Sequence, residues 1–210
     1  MRATASLTRR AALMTASLGA ALALAACGGG GSSATAEGDM AKGADEGAAV
    51  TVVEYASVTC GVCAAWNEQV KPEFEERYVN NNRVRFIFRE LPTPPQDIAV
   101  AGFLLARCAG EDRYFEVVDQ IMRSQREWQQ GVSPRDSLLR IAADAGMNEQ
   151  EFTRCVTDQD AILAMEERVN AAQRAGVTGT PYFVVNGRHV SDPSLESLSA
   201  AIDPLLEAEG

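Results

Sequence analysis

The chain has 210 residues, of which 46% are apolar and 23% charged, and these values favour one globular domain with room for an insertion. A core of that size needs no disulfide to hold it together. The formal net charge is −10 at pH 7, and without a long basic run the sequence excludes nucleic acid as a partner.

The first 26 residues have the pattern of an export signal. Three arginines among the first ten residues precede an almost unbroken apolar run over 11–26, which is too short to span a membrane. Residues 24–27, Leu-Ala-Ala-Cys, resemble the lipobox of bacterial lipoproteins, whose cysteine is acylated. We therefore predict a signal peptide over 1–26 and lipidation of Cys27. Cleavage at a nearby Ala-x-Ala site is the alternative, and the export route, general or twin-arginine, stays open.

The cysteine count and the next segment agree with a lipid anchor. Five cysteines are an odd number, which is unfavourable in an oxidising compartment, and acylation of Cys27 would leave four. Residues 28–48 carry almost no large apolar side chain, so we predict a flexible tether over 27–48. The protein would be periplasmic or extracytoplasmic, attached to a bacterial membrane through its lipid only.

The folded part is predicted to begin with a strand over 50–55, which is nearly all apolar, as in a strand covered on both faces. It leads into Cys60-Gly61-Val62-Cys63, and apolar residues at helical spacing follow. Pro72 should kink that helix because proline removes a backbone donor. A second strand is predicted over 84–88.

A helical block is predicted from 96 to about 175. Within it, residues 133–136 resemble a capping box, and Asn148 marks the start of another helix. A strand hairpin with an Asn-Gly turn follows over 181–190, and the last predicted helix covers 193–207.

The Cys-x-x-Cys motif at the predicted strand-to-helix junction carries the chemistry. Cys60 would sit at the helix N-terminus, where free N–H groups favour the reactive thiolate. Cys63, one turn further on, is better shielded and suits the resolving role. A zinc pair is one alternative, but the chain has one histidine and no second Cys-x-x-Cys. An inert disulfide is the other, although so short a loop gains little stability on closure.

The ordered motifs resemble the DsbA-like branch of thioredoxin-fold oxidoreductases. Besides Cys-x-x-Cys and the helical insertion, residues 89–92 resemble an Arg-Glu-Phe-Pro stretch and residues 179–183 match the segment that carries the family's cis-proline. The resemblance implies an α/β thioredoxin fold with an inserted helical domain. Its thioredoxin-like domain would comprise 49–95 and 176–210, with the insert at 96–175.

The same resemblance implies roles for further residues. Pro181 would be cis beside the cysteine pair, and the Thr180 backbone would hydrogen-bond to substrate. Glu54 matches a buried acid of the family, whose raised pKa would let it exchange a proton with the resolving thiol; an exposed edge-strand glutamate is the alternative. Cys108 and Cys155 resemble a second, structural disulfide of some members.

The functional prediction is a thiol:disulfide oxidoreductase that acts on exported proteins as a dithiol oxidase, without cofactor or metal. A membrane redox partner would regenerate it. Strong oxidants of this branch often carry a histidine where Val62 stands, so its disulfide should be less oxidising. A reductase or isomerase, and a non-catalytic thiol- or metal-binding lipoprotein, are the alternatives.

Overall fold

The computed structural model describes residues 35–208. The predicted signal peptide over 1–26 and the predicted lipidation site, Cys27, lie outside these residues. Within 35–208, no helix is long and apolar enough to cross a membrane.

A five-stranded sheet lies at the centre of the fold. Its strands, in chain order, are β1 (Met40–Gly43), β2 (Thr51–Ala56), β3 (Arg85–Glu90), β4 (Tyr182–Val185) and β5 (Arg188–Val190). The spatial order is β1-β3-β2-β4-β5. Strands β2 and β3 are parallel and every other pair is antiparallel, so β2, which leads into Cys-x-x-Cys, occupies the middle.

Eight α-helices surround or extend this sheet in the described part of the chain. They are α1 (Gly61–Gln69), α2 (Lys71–Phe74), α3 (Gln96–Cys108), α4 (Glu111–Gln129), α5 (Pro134–Asp144), α6 (Glu149–Val156), α7 (Gln159–Arg174) and α8 (Leu195–Glu207). A π-helical turn, Glu75–Val79, continues α2. Helices α3 to α7 form the predicted insert.

The predicted flexible tether over 27–48 is wrong in its later part. Strand β1 pairs with β3, with Met40 opposite Phe88, and Met40 is buried. The prediction relied on side-chain composition, whereas backbone hydrogen bonds to the open edge of β3 order this segment. Gly43 ends the strand at φ +86°, where a Cβ would collide with the Val84 carbonyl. The thioredoxin-like domain therefore begins before residue 49.

The two faces of the sheet bury different side chains, as strand alternation requires. One face of β2, with Val52 and Ala56, joins the main core together with Cys63. The other face, with Val53 and Tyr55, packs in a smaller cluster against α7. Helix α1 therefore holds its buried cysteine against the larger core.

Two local predictions about helix starts had different outcomes. Ser133 makes no side-chain capping bond at the start of α5, so the capping box predicted over 133–136 is wrong. Asn148 does cap α6, in a reciprocal box with Glu151. Pro72 does not kink one continuous helix. The chain breaks at Val70, and Pro72 occupies the first turn of α2, where its missing N–H costs nothing.

The carboxylate of Glu90 joins the sheet to the insert. Its side chain is fully buried at the end of β3 and accepts hydrogen bonds from Arg107 Nε at 2.6 Å and Arg168 Nη2 at 2.9 Å. The Tyr114 hydroxyl donates to the same carboxylate at 3.0 Å. Because these partners come from α3, α7 and α4, one strand residue anchors three helices. We call these four residues the Glu90 cluster.

Candidate active site

The cysteine pair sits where the loop after β2 turns into α1. Cys60 has extended backbone angles and is the N-cap of α1, and its Sγ accepts a hydrogen bond from the Cys63 N–H at 3.3 Å. Both thiols are free in the structure. Two hydrogen bonds pin the preceding loop, from Thr59 Oγ1 to Thr93 O at 2.7 Å and from Thr93 N to Ser57 Oγ at 3.0 Å. The helix start is thus fixed before any substrate arrives.

The two thiols have opposite environments. Hydrogen bonding from the Cys63 thiol and from backbone N–H groups at the start of α1, together with a side-chain bond from Thr180, lowers the pKa of Cys60 to about 5. Cys63 is 0% exposed, and burial raises its pKa well above the ordinary value. At neutral pH the accessible sulfur is a thiolate and the buried one is a thiol. The Cys60 pKa is lowered without help from an imidazole, because the residue before Cys63 is Val62, which is 64% exposed.

The loop before β4 lies directly against the reactive sulfur. The Thr180–Pro181 peptide bond is cis, and Cys60 Sγ lies 3.5 Å from the Thr180 carbonyl oxygen. These residues are 120 positions apart in the chain, and the pairing of β4 with β2 brings them together. The Thr180 backbone therefore lies directly beside the Cys60 sulfur.

Glu54 lies on β2, on the face that packs with Cys63, and is 2% exposed. Burial raises its pKa to about 8, although the positive charges of Lys71 and Lys42 oppose the rise. Its charge contributes to the raised pKa of Cys63, so the two groups are electrostatically coupled. A carboxyl group of this kind can hold or release a proton near neutral pH, and its charge acts on Cys63.

A buried polar network near Glu54 was not predicted from the sequence. Lys71 Nζ donates to Asn67 Oδ1 at 2.7 Å, and Asn67 Nδ2 donates to Asp119 Oδ1 at 2.5 Å. Lys42, from β1, pairs with Glu75. Lys71 and Asn67 are four residues apart, a spacing at which helical side chains meet, but nothing in the sequence marks them as buried.

Gln125 was also missed, and it connects the insert to the active-site loop. From α4 its Nε2 donates to the Val58 carbonyl at 2.8 Å and to the Cys60 carbonyl at 3.3 Å. Gln125 is buried. Its amide supports the backbone from which α1 begins.

Two further cysteines within residues 35–208 form a separate disulfide. Cys108 at the end of α3 and Cys155 in α6 form a disulfide that closes a separation of 47 residues within the insert. Over residues 35–208, no group of three or more His, Cys, Asp or Glu side chains is arranged to hold a metal ion.

Comparisons with known proteins agree with this architecture. The thioredoxin family model matches residues 35–204. A putative protein-disulfide oxidoreductase of Rickettsia bellii is 32% identical over 81% of this chain, which spans 66% of that relative's length. The crystal structure of Wolbachia pipientis alpha-DsbA1 superposes with a TM-score of 0.75 and 24% identity, covering 83% of this chain and 94% of that one. Bacillus subtilis BdbD, in its oxidised form, gives a TM-score of 0.73 and 16% identity, with 82% and 95% covered.

Fold and site together define a thioredoxin-fold protein with an accessible thiolate, a buried partner thiol and a helical insert. The chain belongs to the thioredoxin family, and its fold is that of the DsbA-like members. The predicted α/β thioredoxin fold with an inserted helical domain is thereby confirmed.

Proposed function

We propose that this protein is a thiol:disulfide oxidoreductase that acts on exported proteins as a dithiol oxidase. The observation that carries the proposal is the asymmetry of the pair, in which the Cys60 pKa falls to about 5 while that of buried Cys63 rises. Since thiol–disulfide exchange proceeds through thiolates, this arrangement makes Cys60 the exchanging sulfur and Cys63 the resolving one. The likeness to the Rickettsia relative, whose name is that of a protein-disulfide oxidoreductase, supports the same class.

In the oxidising direction, a substrate thiolate attacks Cys60 Sγ of the Cys60–Cys63 disulfide. The Cys60–Cys63 bond breaks, a mixed disulfide forms, and Cys63 leaves with the electron pair. The second thiolate of the substrate then attacks the first substrate sulfur, which is bonded to Cys60 in the mixed disulfide. The bond between that sulfur and Cys60 Sγ breaks, and Cys60 is released as a thiolate. The substrate thereby loses two electrons and two protons and gains a disulfide, while the cysteine pair is reduced. Stabilisation of the Cys60 thiolate favours this direction because it makes Cys60 the better leaving group.

Glu54 supplies the proton that the buried leaving thiolate needs. With a pKa of about 8 it is mostly protonated at neutral pH, and it faces the core that contains Cys63. Proton transfer to Cys63 avoids a buried thiolate, whose desolvation is costly. The reverse transfer activates Cys63 when the disulfide forms again.

The Thr180 backbone would orient the substrate. An extended peptide that hydrogen-bonds beside the Thr180 carbonyl places its cysteine next to Cys60, whose Sγ lies 3.5 Å from that oxygen. Pro181 has no N–H with which to compete for the peptide. Thr180 and Pro181 thus serve as the substrate-binding residues of this proposal, and the Cys108–Cys155 disulfide as a structural one.

The N-terminal pattern supports an extracytoplasmic site of action. Lipidation of Cys27 would attach the protein to a bacterial membrane, where a membrane redox partner re-oxidises the Cys60–Cys63 pair. Mass spectrometry of the mature N-terminus tests this part. An acylated cysteine at position 27 supports it, and cleavage at an Ala-x-Ala site without a lipid contradicts it.

Activity is tested by oxidation of a reduced peptide dithiol by the oxidised protein. Cys60→Ser should abolish turnover. Cys63→Ser, mixed instead with a disulfide-bonded peptide, should accumulate a mixed disulfide, because the Cys60 thiolate attacks the peptide disulfide, releases one peptide thiolate and has no second protein thiol to resolve the bond. The matched control replaces Cys108 and Cys155 together by alanine, which removes two sulfurs in the insert and should leave turnover intact. Equal activity of wild type and Cys60→Ser would refute the proposal.

Whether the protein oxidises or reduces its substrates is tested by alkylation of thiols in intact cells. An oxidised Cys60–Cys63 pair in the resting state supports the dithiol oxidase. A reduced pair would instead identify a reductase or isomerase with the same site.

A further inference from the structure

A groove of about 220 Å³ lies beside the cysteine pair, between α1 and the insert helix α4. Its α1 side is built from small residues, Gly61, Ala64 and Ala65, and its α4 side includes Gln125. We call this space the α1–α4 groove. Because Gly61 directly follows Cys60 in the chain, the groove begins next to the reactive sulfur.

The α1–α4 groove and the loop that contains Thr180 lie on opposite sides of Cys60. Strands β3 and β4 are the two neighbours of β2 in the sheet. Thr180 lies two residues before β4, whereas α4 packs over β3, with the Tyr114 and Phe88 ring centroids 6.1 Å apart. A peptide that lies along the Thr180 backbone and crosses Cys60 therefore reaches the α1–α4 groove with a neighbouring side chain.

The Gln125 side-chain amide has a fixed orientation in this groove. Its Nε2 donates to the carbonyl oxygens of Val58 and Cys60 at 2.8 and 3.3 Å. Both partners are acceptors, so the nitrogen must face the loop and Oε1 must point away from it. A Cβ placed on Gly61 would lie 4.0 Å from that oxygen. Within residues 35–208, Gln125 Oε1 accepts no hydrogen bond.

The Gln125 oxygen is also open to a ligand, although the residue as a whole is 9% exposed. In the described part of the chain, the fully enclosed side-chain nitrogens and oxygens without a partner belong to Arg85, Trp128 and Arg168. Gln125 Oε1 lacks a partner but is not one of these atoms, so it keeps accessible surface in the groove that Gln125 lines. A fixed acceptor can bind an N–H group with little further loss of side-chain freedom.

The charged side chains around the α1–α4 groove are paired. Arg123 Nε lies 2.7 Å from Asp119 Oδ2, and Arg126 pairs with Glu68. The other polar side chains of the lining are amides: Gln69, Gln125 and Gln129. An anionic ligand group would face the Gln125 oxygen, and a cationic group would face two guanidinium groups. An uncharged amide avoids both repulsions, since its nitrogen donates and its oxygen accepts.

We infer that the α1–α4 groove is a substrate subsite for an uncharged amide side chain, asparagine or glutamine, on the residue beside the substrate cysteine. The inference rests on the proposed function, whose substrates it narrows. The amide nitrogen donates to Gln125 Oε1 and thereby helps to hold the substrate cysteine at Cys60. The groove has the volume of about seven water molecules at ~30 Å³ each, which is enough for a glutamine side chain.

Two peptides of identical composition test this subsite. One has glutamine next to its single cysteine and glutamate four residues away, and the other has these two residues exchanged. Each peptide cysteine is disulfide-bonded to thionitrobenzoate. In the reduced wild-type protein, the Cys60 thiolate attacks the peptide sulfur, the peptide–thionitrobenzoate bond breaks, and thionitrobenzoate leaves with the electron pair as a coloured thiolate. It is the preferred leaving group because a thiol of lower pKa leaves faster.

Stopped-flow absorbance gives the rate of thionitrobenzoate release. The peptide with adjacent glutamine should react at least about fivefold faster, the effect of one net hydrogen bond. The pair of peptides is made twice, with the tested residue before or after the cysteine. The preference should appear in one series only, because the groove lies on one side of Cys60. A preference in both series or in neither would overturn the inference, and so would equally fast reaction of a peptide with adjacent leucine.

Two variants locate the preference, which is measured as the ratio of the two peptide rates. Both peptides meet the same Cys60, so a change in its thiolate fraction cancels in this ratio. Gln125→Leu removes the acceptor and should bring the ratio to about one, whereas Gln120→Leu, on α4 but outside the groove, should not. Ala65→Leu fills the groove and should also bring the ratio to about one, with exposed Ala164→Leu on α7 as its control.

An unchanged ratio in either Gln125→Leu or Ala65→Leu would overturn the subsite. Failure of the proposed function gives a different result, because Cys60→Ser would then release thionitrobenzoate from every peptide as fast as the wild type does. Release that depends on Cys60 but is equally fast for both peptides would refute the subsite alone.

Discussion

Glu54 and Glu90 are buried glutamates on the paired parallel strands β2 and β3, and they lie on the same face two residue positions apart. They are 2% and 3% exposed. Glu90 meets two guanidinium groups and a tyrosine hydroxyl directly. Glu54 faces a core with Cys63, and the lysines near it oppose the rise of its pKa to about 8 without cancelling it.

The difference shows what makes a buried carboxylate structural or chemical. Several direct hydrogen bonds hold a buried carboxylate in place, and that carboxylate then anchors the helices that supply the donors. Incomplete compensation leaves the proton nearly balanced between bound and free at neutral pH, which is what acid–base catalysis requires. Burial alone does not distinguish the two cases.

The largest expected effect is on stability. Glu90→Gln leaves Arg107 and Arg168 without their shared anion, so the free energy of unfolding should fall by about 3–5 kcal/mol. Urea denaturation of the variant measures this loss. Glu54→Gln is the matched comparison and should cost far less at pH 7, and an equal loss in both variants would remove the distinction between the two carboxyl groups.

The second prediction concerns turnover, for which the larger effect is expected at Glu54 and not at Glu90. Glu54→Gln should slow turnover by about a hundredfold because it removes the proposed proton donor to Cys63. The wild-type rate should also decline above pH 8, where Glu54 loses its proton, and the variant should lack that decline. Stopped-flow kinetics across pH 6–9 measure both, and Glu90→Gln, assayed where it is folded, should keep the wild-type profile.

The third prediction concerns stability against pH. The folded pKa of Glu54 is raised from 4.5 to about 8, so folding favours the protonated form, and this contribution is complete below about 4.5 and lost as the pH rises through about 8. Stability should fall by up to about 1.4 kcal/mol per pH unit in that window.

Cys60 has the opposite dependence, because its pKa is lowered from 9.0 to about 5 and its contribution is lost as the pH falls towards 5. The change in unfolding free energy with pH that Glu54 causes is therefore measured in the Cys60→Ser variant. Adding Glu54→Gln to this variant should remove the pH dependence of the unfolding free energy. A pH dependence that persists would show that other groups cause it.

The smallest effect is expected at Gln125. Gln125→Leu removes two hydrogen bonds to the active-site loop and should lower the free energy of unfolding by about 1 kcal/mol. The Cys60 pKa should rise, because the N–H groups at the start of α1 are held less firmly. Thiolate absorbance against pH measures the shift, and exposed Gln129→Leu on the same helix should leave the pKa unchanged.

The sequence allowed the prediction of features that are local in the chain. Cys60 and Cys63 lie at a strand-to-helix junction, and the Asn186-Gly187 turn joins β4 to β5, because each pattern fits within a few residues. Four of the five strands were predicted near their observed positions. Glu54 was identified by its match to a buried acid of the family that the motifs resemble.

The missed features depend on contacts between distant segments. Gln125 reaches Val58 across 67 positions, and Lys42 lies in a segment whose side chains gave no strand signal. The Glu90 cluster joins residues up to 78 positions apart. A charged residue on a helix is normally solvent-exposed, so no periodicity could distinguish Arg107 or Arg168 as a buried partner.

The position of β2 between β3 and β4 also has a consequence for folding. The parallel pairing of β2 with β3 spans 34 positions, from Thr51 to Arg85, whereas β4 reaches β2 only after the whole insert has been passed. Closing a longer loop costs more chain entropy, and contacts distant in sequence form more slowly. We therefore expect the contact between Cys60 and the Thr180 carbonyl to form late in folding. Cys60 and Cys63 are thus neighbours in the chain from the start, whereas the Thr180 carbonyl joins them only when β4 pairs with β2.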